Sequence, residues 1–424
     1  MDRTPFRAVA AAATIVVLAG CSTTPTTPSS GGDGDGGGGQ LSFLSPWTQD
    51  QTAPMLDAYA EENPDVQIQV TYIAGNENAQ QLLATQLAAG NAPDVFYLNP
   101  GAGSPTSVGV LGEAGYLTNL SGEDWAADLE APYRDFLSFD GNVYAYPSTI
   151  FGIGAIYNDT MLADAGLEAP ETFPEVLKFC SDASASGHPA YVLGAGALWI
   201  NALIPYAFAS TLVDSQAPDF EASVGDGSDF SNSEWVTALE QYQQMIDSGC
   251  FQENPTGTDG PSTWEIAGRG DVFGVVAPGS LLSEVQRNAP DGAEFTMRAL
   301  PATDDAGETT MPVSLSSTLG INAESENPDL ALDFVNWLSE GDQLALIASL
   351  QVGAVPTIST DSFEAPAEIA IVGELSSAGR TTPVPDLAWP NAEIQAALQS
   401  GGQGMLLGSS TPEQVAESMQ SAVQ

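Results

Sequence analysis

Hydrophobic and polar residues alternate along the chain with two distinct periods. From Val66 to Tyr72 every second residue is apolar, which predicts a strand with one face toward solvent. The short apolar runs Leu41–Leu44 and Val95–Leu98 are typical of buried strands, and the segments between the three runs carry a helical period. Because strands alternate with helices, the pattern predicts an α/β fold with a mainly parallel sheet.

Two of these predicted strands end beside candidate ligand-binding residues. Trp47 and Asp50 follow the first strand, and Asn99 follows the strand that ends at Leu98. Ligands of parallel sheets lie beyond the carboxyl ends of the strands. We therefore expect Trp47, Asp50 and Asn99 to face a ligand.

The stretch Gly141–Asn158 is uncharged, aromatic and rich in glycine. We interpret it as a strand-like bridge between two lobes, because Gly152 and Gly154 allow a bend or a close backbone approach. Pro147 argues against a central strand at that point. An ordinary buried strand pair is the alternative. If the stretch is a bridge, valine at Gly152 or Gly154 should alter closure of the lobes more than it alters stability.

Helix start signals recur in the second half of the chain. Thr172 with Glu175, and Thr411 with Gln414, have the spacing of capping boxes, in which two side chains satisfy free backbone N–H groups at a helix start. Ser280 is expected to cap the helix that follows it and to offer a hydroxyl to a ligand.

Composition limits the classes of partner. The chain has 424 residues, enough for two or three domains, and 8 basic residues against 55 acidic ones give a net charge of -47. Such a surface repels nucleic acid and acidic lipid head groups. The charge favours a neutral or cationic ligand, or it reflects a solvated surface suited to a salty or acidic medium.

The N-terminus has the pattern of a targeting segment. Arg3 and Arg7 precede an apolar run that ends in Leu-Ala-Gly-Cys, which resembles the lipobox of bacterial lipoprotein signals. We interpret residues 1–20 as a signal peptide, Cys21 as a lipid anchor and residues 21–40 as a flexible tether of Thr, Pro, Ser, Gly and Asp. A plain secretory signal is the alternative.

Two cysteines remain after the targeting segment, Cys180 and Cys250. An even pair in a chain that matures outside the cytoplasm predicts a disulfide, with two buried free thiols as the alternative. No CxxC pair is present, so the sequence offers no cysteine-based metal site, and we expect no metal and no cofactor.

An ordered set of short motifs resembles a known family. The motifs are Gly90–Val95, Ala114–Leu120, Ile156–Asn158, Ala165–Leu167 and Pro170–Phe173. Together they resemble extracellular solute-binding proteins of family 1, the sugar-binding receptors of ABC importers. The resemblance runs from about residue 41 to the C-terminus, although the family usually has tryptophan at the position of Phe173.

The resemblance implies a two-lobed periplasmic-binding-protein fold of the type II-like kind. Two α/β lobes are joined by three hinge crossings, the second at Ser314–Asn322 and the third at Gly353–Pro356, with a ligand cleft between the lobes. The N-lobe would comprise residues 41–147 and 319–354. The C-lobe would comprise residues 148–318 and 355–424.

Further candidate site residues follow from the resemblance and from aromatic chemistry. Trp389 lies in a segment whose tryptophan borders the sugar cleft in relatives, and Tyr146 lies in the first crossing at the base of the cleft. Trp199, in a glycine-containing loop, offers an indole face for stacking on a sugar, with core packing as its alternative. Trp264 would replace a family tryptophan where this chain has Leu281.

These features predict recognition without chemistry. The expected function is that of a monomeric, lipid-anchored substrate-binding protein on the outer face of the cytoplasmic membrane. It would capture a sugar or oligosaccharide and deliver it to ABC permease subunits. A polyamine, peptide or other cationic solute is the alternative ligand. A secreted hydrolase using two carboxylates is a further alternative, but no motif isolates such a pair, and His188, in a Gly-His-Pro turn, lacks a nucleophile motif.

Overall fold

A sheet of ten strands organises the computed structural model, which describes residues 39–73, 76–102, 104–129, 131–358 and 360–423. Its main path in these residues runs β2-β1-β3-β10-β6-β8-β7, while β9 and β11 pair with β6, β12 pairs with β10, and β4 and β5 form a separate hairpin. The strands are β1 (Gln40–Ser45), β2 (Gln67–Tyr72), β3 (Val95–Tyr97), β4 (Ser138–Phe139), β5 (Asn142–Val143), β6 (Ala145–Asn158), β7 (Tyr191–Val192), β8 (Gly274–Pro278), β9 (Phe295–Arg298), β10 (Met311–Ile321), β11 (Val355–Pro356) and β12 (Thr381–Pro383).

Helices surround this sheet along the described part of the chain. They are α1 (Gln49–Glu62), α2 (Asn76–Ala88), α3 (Val108–Glu113), α4 (Asp124–Asp128), α5 (Ala131–Phe136), α6 (Asp159–Ala165), α7 (Phe173–Ser186), α8 (Leu203–Ala209), α9 (Trp235–Asp247), α10 (Gly260–Arg269), α11 (Leu282–Arg287), α12 (Pro328–Leu338), α13 (Gly341–Leu350), α14 (Ala370–Ser377), α15 (Ala392–Leu406) and α16 (Pro412–Ser421).

The first three strands are parallel, as the alternating pattern predicts. β1 pairs with β2 and with β3, and Phe43 lies opposite Val70 on one side and Val95 on the other. Phe43 and Val95 are fully buried. The carboxyl ends of β1 and β3 therefore meet at one edge of the sheet, which brings together the loops that carry Trp47 and Asn99.

β6 is buried along nearly its whole length and belongs to both halves of the sheet, one formed with β1, β2, β3, β10, β11 and β12 and the other with β7, β8 and β9. Its first part pairs antiparallel with β10, and its second part pairs with β8 and β9. The two interpretations of the stretch Gly141–Asn158, a bridge between lobes and a buried strand pair, therefore describe the same element, β6. The prediction that there is no central strand at Pro147 is wrong: Pro147 lies opposite Thr318 within β6, and the ladder continues on both sides of it, because a proline removes only one backbone donor.

The three predicted crossings lie side by side. β10 and β11 both pair with β6. Gln351, two residues before the third segment, has a side-chain oxygen that accepts hydrogen bonds from the Thr149 hydroxyl at 2.8 Å and the Ser316 hydroxyl at 3.2 Å, which links the first and second segments to the start of the third. The fold is a two-lobed mixed α/β architecture. Its described residues nevertheless group into one compact unit, because the long strands β6 and β10 extend through the sheet.

Several predicted helix starts are present. Thr172 with Glu175 and Thr411 with Gln414 form capping boxes at α7 and α16. The predicted cap at Ser280 is wrong, because α11 begins one residue later, after Leu281, and has no side-chain cap. A short 3-10 helix, Gly279–Leu281, takes up the chain between β8 and α11.

A disulfide joins Cys180 in α7 to Cys250 just after α9, as the cysteine pair predicts. Both residues are fully buried. The predicted signal peptide, the anchor Cys21 and most of the tether lie outside the described residues. In the part of the chain that the structure describes, no helix combines the length and the apolar character needed to cross a membrane.

Candidate ligand-binding cavity

A cavity of about 520 Å³ lies at the joint between the two halves of the sheet. Three parts of the chain line it: the loops after β1 and β3, the middle of β10 with Phe151 of β6, and the segment from Asp386 to Gln395. This position agrees with the expectation that ligands lie beyond the carboxyl ends of parallel strands.

One wall is aromatic. The half-buried Trp47 follows β1, and its ring centroid lies 4.7 Å from that of Tyr97 at the end of β3. Tyr97 in turn packs against Phe43, 5.4 Å away, which anchors the pair in the core. Such rings present an apolar face against which a ligand carrying C–H groups can stack.

Asn99 supplies an amide to the same wall. Its side-chain oxygen accepts from Gln80 at 2.9 Å, and its nitrogen donates to the Ser104 hydroxyl at 2.8 Å. These two bonds fix the orientation of the amide and leave one N–H and one lone pair for a ligand.

β10 contributes hydroxyl groups to the floor of the cavity. Ser314, Ser316 and Thr318 line it together with Phe151. The Thr318 hydroxyl is buried and has no hydrogen-bond partner among the described residues. Because a buried polar group without a partner costs free energy, a ligand hydroxyl at this position would be favoured.

Asp386 is the one carboxylate among the described residues that line the cavity. It accepts a hydrogen bond from the side-chain amide of Gln395. Burial raises the pKa of Asp386 to about 6, while the hydrogen bond from Gln395 opposes this shift. At neutral pH the group is therefore mainly ionised and can accept further hydrogen bonds from a ligand.

Trp389 closes the cavity beside Asp386, although only 2% of its surface is exposed. Its indole N–H donates to the carboxylate of Glu221, whose other oxygen accepts from the Trp235 indole at 2.8 Å. The ring of Trp389 also packs on Tyr206 and Phe230, with centroids 5.9 Å and 5.7 Å away. Trp389 thus forms part of the wall and leaves little of its ring open for stacking.

The cavity brings together three of the predicted site residues, Trp47, Asn99 and Trp389. Tyr146 is fully buried instead: its hydroxyl donates to the Leu338 carbonyl at 2.8 Å, its ring packs edge-on against Trp125, and it does not line the cavity. Asp50 lies in α1, and its side chain is outside the described part of the structure.

The remaining predicted residues lie on the side of the sheet that holds β7 and β8. Trp199, 41% exposed, has its ring centroid 6.2 Å from that of the buried Trp264. Ser280 is exposed in the turn after β8. Trp199 and Ser280 follow the carboxyl ends of β7 and β8, which are parallel. None of the three lines the cavity, so their contact with ligand stays a prediction.

Sequence reasoning missed several lining residues. Asp386 belongs to the same short segment as Trp389, and Ser314 to Thr318 belong to the predicted second crossing. The sequence therefore indicates both segments, but it does not indicate that their polar side chains line the cavity. The apolar run Val95–Leu98 places Tyr97 in a buried strand. Its position at the last residue of β3 is the signal that could have placed it at the sheet edge.

Among the described residues, no group of three or more His, Cys, Asp and Glu side chains could hold a metal ion. His188 lies away from the cavity, with its Nδ1 atom 3.2 Å from the Asp271 carbonyl oxygen and its ring against Phe273.

Solved structures share this architecture. The solute-binding protein RafE in complex with raffinose aligns with a TM-score of 0.71 over 90% of this chain and 98% of that one, at 18% sequence identity. At this level of identity the similarity establishes the fold.

Two curated relatives align over part of their length. The multiple sugar-binding protein of Streptococcus mutans is 26% identical over 141 residues, which are 33% of this chain and 32% of that protein. The melibiose/raffinose/stachyose-binding protein MelE of Bacillus subtilis is 25% identical over 131 residues, which are 31% and 29%. The chain thus covers about a third of the length of each of these relatives.

A family-wide comparison extends over most of the chain. Residues 45–343 match the bacterial extracellular solute-binding proteins. This match includes both halves of the sheet and the strands β6 and β10 that connect them. The chain belongs to the family of bacterial extracellular solute-binding proteins.

Proposed function

We propose that the protein is the substrate-binding component of an ABC importer and captures a neutral oligosaccharide in the cavity at Trp47 and Asp386. The observation that carries this proposal is the combination of an aromatic wall with hydroxyl, amide and carboxylate groups in one cavity of about 520 Å³. A sugar ring has the matching surfaces, an apolar C–H face and a rim of hydroxyl groups.

Each part of the cavity has a role in this proposal. Trp47 and Tyr97 stack on the apolar face of a sugar ring. The amide of Asn99 and the hydroxyl of Thr318 form hydrogen bonds with sugar hydroxyls. Asp386 accepts from one or two hydroxyls, and bonds to an ionised acceptor are the stronger ones.

The charge of the cavity favours a neutral ligand over a cationic one. The whole chain carries -47, but the described residues lining the cavity include one carboxylate. A polyamine would be expected to find several carboxylates there. The names of the relatives point the same way, and we propose an α-galactoside such as raffinose or stachyose as the ligand class.

The same count of carboxylates argues against hydrolysis. Glycoside hydrolysis commonly uses two carboxyl groups on either side of the scissile bond. Asp386 is the one such group among the described lining residues, so the cavity supports binding without turnover.

Closure and localisation complete the proposal. The lobes, residues 41–147 with 319–354 and residues 148–318 with 355–424, close on the ligand by hinge motion at the three adjacent strands.

Cys21 carries the lipid anchor on the outer face of the cytoplasmic membrane, and the protein acts as a monomer beside its permease. Replacing Cys21→Ala should release the protein from the membrane fraction.

A thermal-shift screen tests the ligand class. Raffinose and stachyose should raise the melting temperature, since a ligand at 100 times its Kd adds about 2.7 kcal/mol of stability. Spermidine serves as the cationic comparison. If spermidine alone stabilises the protein, at matched ionic strength, the ligand is a cation and the proposed sugar class is wrong.

A further inference from the structure

Glu221 holds two tryptophans at once. It opens the short 3-10 helix Glu221–Ser223, which packs against the 3-10 helix Pro385–Ala388 directly before Trp389. One carboxylate oxygen accepts from the Trp235 indole, and the other accepts from the Trp389 indole. Glu221 is 5% exposed and does not line the cavity.

A second carboxyl group lies behind Glu221. Asp214 is also 5% exposed, and neither of its oxygens has a hydrogen-bond partner among the described residues. Burial and the charge of Glu221 both raise the pKa of Asp214. Glu221 has two indole donors that favour its ionised form, whereas Asp214 has none, so Asp214 is the member of the pair that is protonated more readily.

We propose that Glu221 is a positioning residue of the binding cavity, which fixes Trp389 and the adjoining Asp386 segment in the cavity wall through its bridge to Trp235. The expected effect of Glu221 on ligand affinity rests on the proposed function. Its expected effect on the position of the Trp389 indole does not.

The geometry explains why a carboxylate is needed here. An indole N–H only donates, so two converging indoles require an acceptor with two free oxygens, and an ionised carboxylate provides both. An amide would present its NH₂ group to one of the two indoles. One indole, Trp235 or Trp389, would then lose its acceptor, while the ring of Trp389 stays packed on Tyr206 and Phe230.

The bridge is linked to protonation. Burial raises the pKa of Glu221 to about 7, against the opposing effect of the indole donors, and burial with the charge of Glu221 raises the pKa of Asp214 well above its usual range. Asp386 and Tyr206 are the other titratable groups that act on Glu221 or its neighbours.

A second cavity of about 490 Å³ adjoins the carboxyl pair from the other side. Asp135 and Asp219 line it together with Asp214 and Glu221. Below pH about 7 Glu221 gains a proton, and one acceptor of the bridge becomes a hydroxyl.

Indole N–H resonances of the ¹⁵N-labelled full chain provide a test that needs no ligand. Between pH 5.5 and 8.5 the Trp235 and Trp389 resonances should shift together with a midpoint near 7. Trp125 is the internal control, because its indole donates to the neutral amide of Asn336 and should not titrate with them. A Trp389 resonance that does not follow this titration would overturn the proposal, with or without variants.

Two variants separate positioning from a structural role. Glu221→Gln should displace the Trp389 resonance, remove its titration and weaken raffinose binding about five- to tenfold at pH 7.5. Asp214→Asn is the matched control: it removes the neighbouring buried carboxyl group, which accepts from neither indole, so affinity should stay within about twofold of wild type. If Glu221→Gln lowers the melting temperature while the Trp389 resonance and the raffinose affinity stay unchanged, Glu221 is structural only.

The two proposals fail separately. If wild-type protein binds none of raffinose, stachyose or maltotriose, the proposed ligand class is overturned, and the indole titration still decides whether Glu221 positions Trp389.

Discussion

Asp386 gives the cavity its strongest acceptor, so its replacement has a defined effect on binding. We expect Asp386→Asn to weaken raffinose binding about tenfold, because a neutral amide oxygen accepts hydrogen bonds less strongly than a carboxylate. In wild type the affinity should also fall as the pH drops below about 6, where Asp386 gains a proton. Titration calorimetry between pH 5 and 8 measures both effects.

Asp65→Asn provides the control for this substitution, because Asp65 is exposed in the turn before β2. It should leave the affinity and its pH dependence unchanged. Equal affinities of wild type and Asp386→Asn across this pH range would remove Asp386 from the site.

The buried Glu221 also affects stability. Its pKa is raised in the folded protein to about 7, so the unfolded chain ionises first as the pH rises. The free energy of unfolding should therefore fall between pH about 4.5 and 7, by on the order of 2 kcal/mol. Urea unfolding across this range measures the slope, and Glu221→Gln should flatten it. A stability that rises over the same range in wild type and falls in Glu221→Gln would contradict the assignment.

At the scale of single residues, sequence and structure agree where a side chain follows a strand end. Trp47 and Asn99 were predicted because both follow apolar runs. Glu221 could not be predicted: 168 residues separate it from Trp389, and nothing in its local sequence marks it as buried. Tyr146 illustrates the opposite case, since an aromatic residue in a glycine-rich strand can equally serve the core.

Among the elements, β6 depends on its glycines for close packing. A methyl group on Gly154 would collide with the Arg298 carbonyl oxygen in β9, and one on Gly152 would collide with the Met311 side chain. This packing reverses the expectation that substitutions here alter closure more than stability. We expect Gly154→Ala to cost about 1–3 kcal/mol of unfolding free energy, measured by urea denaturation.

Gly373→Ala is the matched control for Gly154→Ala. Gly373 lies in α14 with no atom near the position of an added methyl group. Alanine is the better helix former, so stability should rise slightly. If Gly154→Ala were as stable as wild type but bound sugar differently, the hinge expectation would be restored.

The disulfide fastens α7 to the end of α9. Cys180→Ser with Cys250→Ser should lower the unfolding free energy by about 4 kcal/mol on the chain-entropy account, since the bond closes a sequence separation of 70 residues. Neither cysteine lines the cavity, so raffinose affinity at 25 °C should not change. A lost affinity in a folded double variant would show that the bond also shapes the site.

Elements marked by a pattern in their own sequence were predictable. Elements whose conformation depends on contacts with distant parts of the chain were not. The strict alternation from Val66 to Tyr72 predicts β2 to within one residue, and both capping boxes form. Pro147 misled because strand pairing tolerates one missing donor. The 3-10 turn at Gly279–Leu281 displaced the expected Ser280 cap, since the chain approaches the Gly353 backbone there.

For the whole molecule, the central question is whether the large negative charge serves the ligand. The cavity has one carboxylate among its described lining residues, while the net charge of -47 is spread over the chain. Salt screens such charges over about 10 Å at 0.1 M. A neutral sugar should therefore bind with an affinity that is insensitive to ionic strength, whereas a cation should bind more weakly as salt is added.

Titration calorimetry with raffinose, at 20 and 500 mM NaCl, tests this account most directly. We predict one site, an affinity that changes less than about twofold with salt, a loss of at least about tenfold in Trp47→Ala, and no loss in Tyr116→Ala, a half-buried aromatic outside the cavity. Raffinose binding that Trp47→Ala leaves intact, or salt-sensitive binding of spermidine with no heat from any neutral sugar, would contradict it.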